Sequence, residues 1–466
     1  MNTKKICGAI TAALMAVAAL GTAIPVNAVN TYTPVQGTSV QFEKYLVFDT
    51  GSNTPSATFT FTVSAGQGQA AQNPTKATVL AGDDVGVTVH SSGDSSKSVI
   101  ENITVSDAVF AASNDKWDSP QATESGIGQK TGLVNDPVDL GSEVTTGHYE
   151  KSYSRQKVTV DFSKVQFDEP GVYRYVITET AMSAAQTELG FVADADNTRY
   201  LDVYVKDNGF TKTSGSANSG TGTLEIVGYV LHNTDNFQPT NQYGDGVTPL
   251  EPIDGDSAVS SKAKGFINTH ETHDLKIKND LVGNQASTDK YFKFTLTLAD
   301  AGANSLFDVD LTAADATVQE TSSTVNTYEG QTNAASITTD ANGAATYVFY
   351  LQHNQEITVK GLPLNASYSI ESTSEDYDVS AVITGDTISG KEGATPVAIS
   401  TTGSGAAKFG TVADADMTAD TTVAFTQTRM GTIPTGVINS VLPGAMILVI
   451  AGIGVVLLGK RRSAEE

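Results

Sequence analysis

The 466-residue chain has one cysteine, one tryptophan and six histidines. A single cysteine excludes a disulfide framework and a multi-cysteine zinc site, and so few histidines exclude a histidine-rich metal centre. Basic residues are also scarce: 28 Lys and Arg stand against 52 Asp and Glu, a formal net charge of −24. A phosphate backbone would be repelled by that balance, so nucleic acid is not an expected partner. The sequence lacks a Gly-Lys-Ser/Thr phosphate loop and a nucleophile elbow, and no cofactor is expected. It also lacks a long amphipathic helix beyond its N-terminal apolar run. The length fits two or three domains with ample core.

What is present begins with the two ends. Lys4 and Lys5 precede an apolar run from Ile6 to Ala23, and Val26-Asn27-Ala28 offers small residues for cleavage. This predicts a signal peptide over 1–28. Cys7 lies at the start of that run, so the mature secreted chain would have no cysteine and must be held together by packing or by some other device. At the other end, Thr432-Ile433-Pro434-Thr435-Gly436 is followed by a mostly apolar stretch, 437–459, and a basic tail, 460–466, opening with Lys460, Arg461 and Arg462. The stretch is long enough to span a bilayer, with its cations on the cytoplasmic side. A plain tail anchor is one reading. The ordered set of motif, apolar stop and basic end resembles the cell-wall sorting signal of Gram-positive surface proteins. That resemblance implies sortase cleavage between Thr435 and Gly436 within the motif Ile433-Pro434-Thr435-Gly436. Leu442-Pro443-Gly444-Ala445 is a competing match without the threonine that would become the acyl donor.

Between the ends the pattern is that of strands. Thr58–Val63, Lys157–Phe162, Leu201–Val205 and Phe292–Leu298 alternate apolar and polar residues, and are rich in Thr, Val, Tyr and Phe. Period-two alternation marks strands with one buried face. Clusters of Gly, Asn, Asp and Ser punctuate them. A diffuse repeat is visible. Val40-Gln-Phe-Glu-Lys44 answers to Leu275-Lys-Ile-Lys-Asn279, Tyr173–Glu179 to Tyr368–Glu371, and Gly265-Phe-Ile-Asn268 to Ala424-Phe-Thr-Gln427. The expected fold is all-β: two tandem immunoglobulin-like sandwiches over 31–269 and 270–430. The first is oversized, with its surplus expected in loops at 111–149 and 207–223.

Three polar residues stand on apolar faces. Lys44 is in register with Val40 and Phe42, Glu179 with Tyr173, Tyr175 and Ile177, and Asn268 with Phe266. Each is predicted to point inward, where polar groups need partners. A dry pocket disfavours the charged forms of amine and acid alike. A neutral amine is a nucleophile, and a carboxylic acid can polarise an amide and shuttle protons as ammonia leaves. Lys44, Thr178-Glu179, Phe266-Ile-Asn268, Glu169–Glu179, Tyr291–Leu296 and the Ile-Pro-Thr-Gly signal resemble the isopeptide-linkage domains of streptococcal-type major pilins. The resemblance implies collagen-adhesin B-type sandwiches, with Lys44 joined covalently to Asn268 and Glu179 promoting the reaction. Self-modification of this kind occurs once, so the chain is not expected to be an enzyme.

The second half departs from that pattern. Asn279, Ser372 and Gln427 occupy the positions of lysine, glutamate and asparagine, while Lys278 and Glu371 are each one residue early. A one-residue offset turns a side chain to the opposite face, so no cross-link is expected there. In the pilin family a lysine near the end of the first domain accepts the threonine of the next subunit. Lys262 is close to that position, with Lys264 as the alternative; the bland reading is a solvated lysine. Weaker signals read as structure. His270-Glu-Thr-His273 is taken as a polar linker, not a metal site. Ala193-Asp-Ala-Asp196 and Ala413-Asp-Ala-Asp416 are taken as Asx-rich turns without calcium-loop spacing. Trp117 is expected to be partly buried. The expected function is a structural pilus subunit, with a pilus-type sortase, further copies of the chain, ancillary pilins and peptidoglycan as partners. A monomeric wall-anchored adhesin holding a host ligand is the alternative.

Overall fold

The alternating segments are strands in the structure, a computed structural model that describes residues 31–70, 78–121, 136–208, 221–239, 262–313, 327–328, 331–332, 334–374, 376–385, 400–402 and 408–431. The signal peptide, sorting motif, apolar stretch and basic tail expected from the sequence lie outside the described residues. Among those described, no helix is long and apolar enough to cross a membrane.

The first group of strands comprises β1 (Ser39–Asp49), β2 (Phe61–Ala65), β3 (Lys151–Asp161), β4 (Gly171–Glu179), β5 (Thr198–Asn208), β6 (Thr221–His232) and β7 (Gly265–His270). One sheet runs β7–β1–β3, and the other runs β6–β5–β4–β2. Inward residues of both, among them Phe42, Leu46, Val158, Tyr175, Ile177 and Leu201, form one buried cluster. Burying each such side chain stabilises the fold by roughly 1.5–3 kcal/mol. The first and last strands are parallel neighbours, with Phe266 opposite Lys44 and Asn268 opposite Leu46. Gly265 makes that approach possible, because a Cβ there would fall on the Glu43 carbonyl oxygen.

After Glu271 alone, the chain enters a second group: β8 (Thr272–Val282), β9 (Phe292–Ala299), β10 (Leu306–Ala313), β11 (Ala345–Leu351), β12 (Gln355–Pro363), β13 (Ser367–Ser374), β14 (Asp378–Thr384), β15 (Lys408–Asp416) and β16 (Thr421–Thr428). Its sheets run β10–β12–β8–β16–β14 and β11–β9–β13–β15. Again first and last strands pair in parallel, with Asn279 opposite Phe425 and Leu281 opposite Gln427. The diffuse repeat is therefore a repeat of topology. Asn53 Nδ2 donates to the Leu306 carbonyl and Asn365 Nδ2 to that of Glu188, fastening the two sandwiches together.

Several details differ from the sequence reading. Thr58–Val63 is not one strand: Ala57–Phe59 pairs with Ala108–Phe110, whereas β2 pairs with β4. Phe59 and Phe61 both face the core, as their spacing dictates, but the break at Thr60 puts them in different sheets. β1 is buried on both faces, because Leu140, Tyr153 and Trp117 cover Tyr45 and Val47 from outside. Part of the expected 111–149 loop thus packs on β1 through Trp117, Val138 and Leu140, and an exposed short hairpin joins Glu143–Thr145 with His148–Tyr149. The expected 207–223 loop is shorter, since β5 and β6 extend into it. His270 is no polar linker. It is buried, stacks on Phe191 at 4.1 Å between ring centroids, and bonds through Nε2 to the Leu189 carbonyl. Ala413–Asp416 lies inside β15 and is no turn.

Candidate functional site

Lys44 points from β1 into the core and is fully buried, as is Asn268 beside it on β7. Both strands belong to the same sheet. Glu179 comes from β4 on the facing sheet and is 3% exposed. Its carboxylate bridges the other two: Lys44 Nζ donates to Oε2 at 2.8 Å, and Asn268 Nδ2 donates to Oε1 at 2.7 Å. The walls are aromatic. Lys44 Nζ lies 4.8 Å from the Phe59 ring centre and 6.0 Å from that of Phe266. Burial pushes the Lys44 ammonium down to about 8, with the Glu179 carboxylate opposing part of that shift. An amine, an acid and a carboxamide therefore meet where the charged amine is disfavoured.

The carboxamide is held from its other side as well. The backbone N–H of Asp194 donates to Asn268 Oδ1 at 2.8 Å. Asp194 Oδ2 accepts from the Ile267 N–H and from Arg199 Nη2, each at 2.8 Å. Arg199 donates through Nε to the Gly265 carbonyl at 3.0 Å and lies over the Phe266 ring at 4.7 Å. Sequence reasoning missed this pair. Ala193–Asp196 was expected to be a turn, and Asp196 N–H does bond to Asp194 Oδ1 as an Asx turn requires. The available signal was Arg199, which shares a strand face with Leu201 and Val203 and is an inward charge of the same kind as Lys44.

The corresponding place in the second sandwich holds Asn279, Ser372 and Gln427, all buried. Gln427 Nε2 donates to Ser372 Oγ at 2.7 Å, and Asn279 Nδ2 donates to the Leu351 and Gln352 carbonyls at 3.2 Å. Asn279 Oδ1 and Gln427 Oε1 are buried without a hydrogen-bond partner. Lys278, the offset lysine, turns outward to Glu356 at 2.9 Å.

Neither lysine expected to be the acceptor is a solvated surface residue. Lys262 forms a backbone bridge to His232, and its side chain is buried. Lys264 lies 3.5 Å from Asp136, which also accepts from Tyr45, Tyr153 and Arg155. Among the described residues no cluster of His, Cys, Asp and Glu is arranged to hold a metal ion.

Residues 40–244 match the family described as the Spy0128-like isopeptide containing domain. The first sandwich carries such a domain. Residues 273–402 match a domain family of unknown function. A curated relative, a pilin of Streptococcus pyogenes serotype M1, is 25% identical over 342 residues, covering 73% of this chain and 82% of its own length. Among solved structures, the major pilin from Streptococcus pyogenes is 16% identical, with a TM-score of 0.42, and the match covers 85% of this chain and all of that one. The T-13 major pilin of the same species is 18% identical, with a TM-score of 0.38, over 86% of this chain and all of that one. The chain is thus a pilin-like structural subunit of Gram-positive type with an isopeptide-containing domain. That likeness implies assembly with other pilin subunits at the cell surface.

Proposed function

We propose that this subunit cross-links its own first sandwich and is then polymerised by a sortase into a wall-attached pilus. The observation that supports the first step is the Glu179 carboxylate bonded at once to the Lys44 amine and the Asn268 carboxamide. One ammonium proton passes from Lys44 to Glu179, leaving a neutral amine and a carboxylic acid. The amine attacks Cγ of Asn268, and the carbonyl electron pair moves onto Oδ1. Glu179 delivers a proton to Nδ2 while the excess proton on the attacking nitrogen is taken up in turn. The Cγ–Nδ2 bond breaks, ammonia leaves, and an amide joins Lys44 to Asn268. Bonds made and broken balance without an oxidant or a cofactor. The second sandwich remains uncross-linked, since Asn279 offers no amine and Ser372 no acid.

In the polymer, Thr435 is the acyl donor once Gly436 leaves, and Lys262, once its buried side chain is drawn out to the sortase, is the acceptor on the next subunit. Lys264 is the alternative, held back by its ion pair with Asp136. The final subunit is passed to peptidoglycan. Cell-wall extracts run in SDS test this reading. A covalent ladder is expected from the native chain, and a single species from Lys262→Ala. A ladder that persists unchanged in that variant moves the acceptor elsewhere, and the absence of any ladder from the native chain sinks polymerisation.

A further inference from the structure

We propose that the backbone N–H of Asp194 is the oxyanion donor of the cross-linking reaction, and that Arg199 positions it. This deepens the reading above and rests on it. The donor fixes which way the carboxamide faces. A backbone N–H can only donate, so the atom 2.8 Å from it is the amide oxygen, and the Asn268 nitrogen must therefore face Glu179. The leaving nitrogen thus sits on the acid, and the oxygen that gains charge sits on a fixed dipole. Donors at about 2.7–3.1 Å from a developing oxyanion act most strongly where water is excluded, because they need no reorganisation as charge builds.

The turn that carries this N–H is clamped to the strand that carries the electrophile. Asp194 Oδ2 holds the Ile267 N–H, next door to Asn268, and Arg199 ties the same carboxylate to the Gly265 carbonyl. Arg199 also donates to the Asp196 and Thr198 carbonyls, at 2.6 and 2.9 Å, so it grips both sides of the turn. The second sandwich supplies the contrast. Its amide, Gln427, has a buried Oε1 with no donor. The donor is present where amine and acid are present and missing where they are missing.

Substituting the α-hydroxy acid of aspartate at position 194 removes only this N–H, because the peptide link becomes an ester and the side chain is kept. The full chain is made by cell-free translation, aliquots are quenched in acid at intervals, and intact mass reports the loss of ammonia. The ester at 194 should slow that loss about 10²–10³-fold. An ester at 196, which removes the N–H bonded to Asp194 Oδ1 in the same turn without touching Asn268 Oδ1, should react close to the native rate. Arg199→Gln should slow the reaction and, in an unreactive Lys44→Met chain, speed hydrogen exchange at the Asp194 amide; Arg199→Lys should recover part of both. Equal rates for the two esters overturn the donor role, even though the native chain still loses ammonia. Slow exchange retained in Arg199→Gln overturns its positioning role. No ammonia loss in the native chain refutes the cross-link itself. Should the 194 ester fail to fold, an unprotected Asp194 amide in the Lys44→Met chain overturns the donor independently.

Discussion

Lys44→Met isolates what the proposed bond contributes. Methionine keeps the length of the lysine's carbon stem in the apolar pocket, but brings neither an amine nor a charge. The native chain, once cross-linked, also has no charge at this position, so the two proteins differ chiefly in the tether. The tether spans residues 44–268, nearly the whole first sandwich. Closing a loop of that size removes about 5 kcal/mol of conformational freedom from the unfolded chain. For a domain of this size each kcal/mol moves the midpoint by roughly 2–4 °C, so Lys44→Met should melt roughly 10–20 °C lower. Calorimetry on the mature chain, with intact mass on the same sample, reads both quantities. The native chain should be lighter than its sequence by one ammonia and the variant should not. The transition of the second sandwich should stay in place, because its core cluster is separate. A native chain of full sequence mass, or a first transition lowered by less than about 3 °C, would refute the reasoning.

Asn268→Ala leaves Lys44 unreacted and buried, and its stability should depend on pH. The lysine, pushed down to about 8 in the folded state from 10.5, binds a proton less readily than in the unfolded chain. Stability should therefore rise from about pH 8 to pH 10.5 by about 3 kcal/mol; a flat urea-midpoint profile across that window contradicts the burial argument. In the second sandwich, Asn279→Lys alone should produce no further ammonia loss, whereas Asn279→Lys with Ser372→Glu and Gln427→Asn should produce a second one. A second loss already present in the native chain would show that the shifted residues react after all.

Much of this site was legible because a strand face carries only alternate residues. Lys44, Glu179 and Asn268 each sit in an apolar register, and in the structure each points inward. The same rule separates Asn279 from Lys278: the first is buried, and the second reaches Glu356 outside. What escaped depended on contacts distant in sequence. The covering of β1 by Trp117 and Tyr153 cannot be read from β1 itself. The break at Thr60 arises because Phe59 and Phe61 serve different sheets, which leaves no mark on the alternation. His270 looked polar in a charged stretch, yet it packs on Phe191 across the sheet edge. Asp194 acts through its backbone, which no residue pattern announces. Arg199 was in plain view on a face with Leu201 and Val203, and needed only the test applied to Lys44.

Load runs differently through the two sandwiches. In the proposed polymer, load enters at Lys262 and leaves through Thr435, so it passes along β7 and then through the second sandwich. β7 is short and pairs with β1 over five positions, Gly265–Thr269. β8 and β16 pair over eight, Leu275–Val282 with Thr421–Thr428. Each backbone hydrogen bond contributes only about 0.5–1.5 kcal/mol net, so the shorter ladder holds its strand to the sheet less firmly. β8 and β16 are parallel and would be pulled from opposite ends, which shears the whole ladder together and does not peel it bond by bond. Pulled at both ends, β7 carries the load along its own backbone, and the proposed bond from Asn268 to Lys44 keeps this short strand seated on β1 while it does so. Lys44, Glu179 and Asn268 are found at that strand, and at the longer ladder the equivalent positions hold Asn279, Ser372 and Gln427.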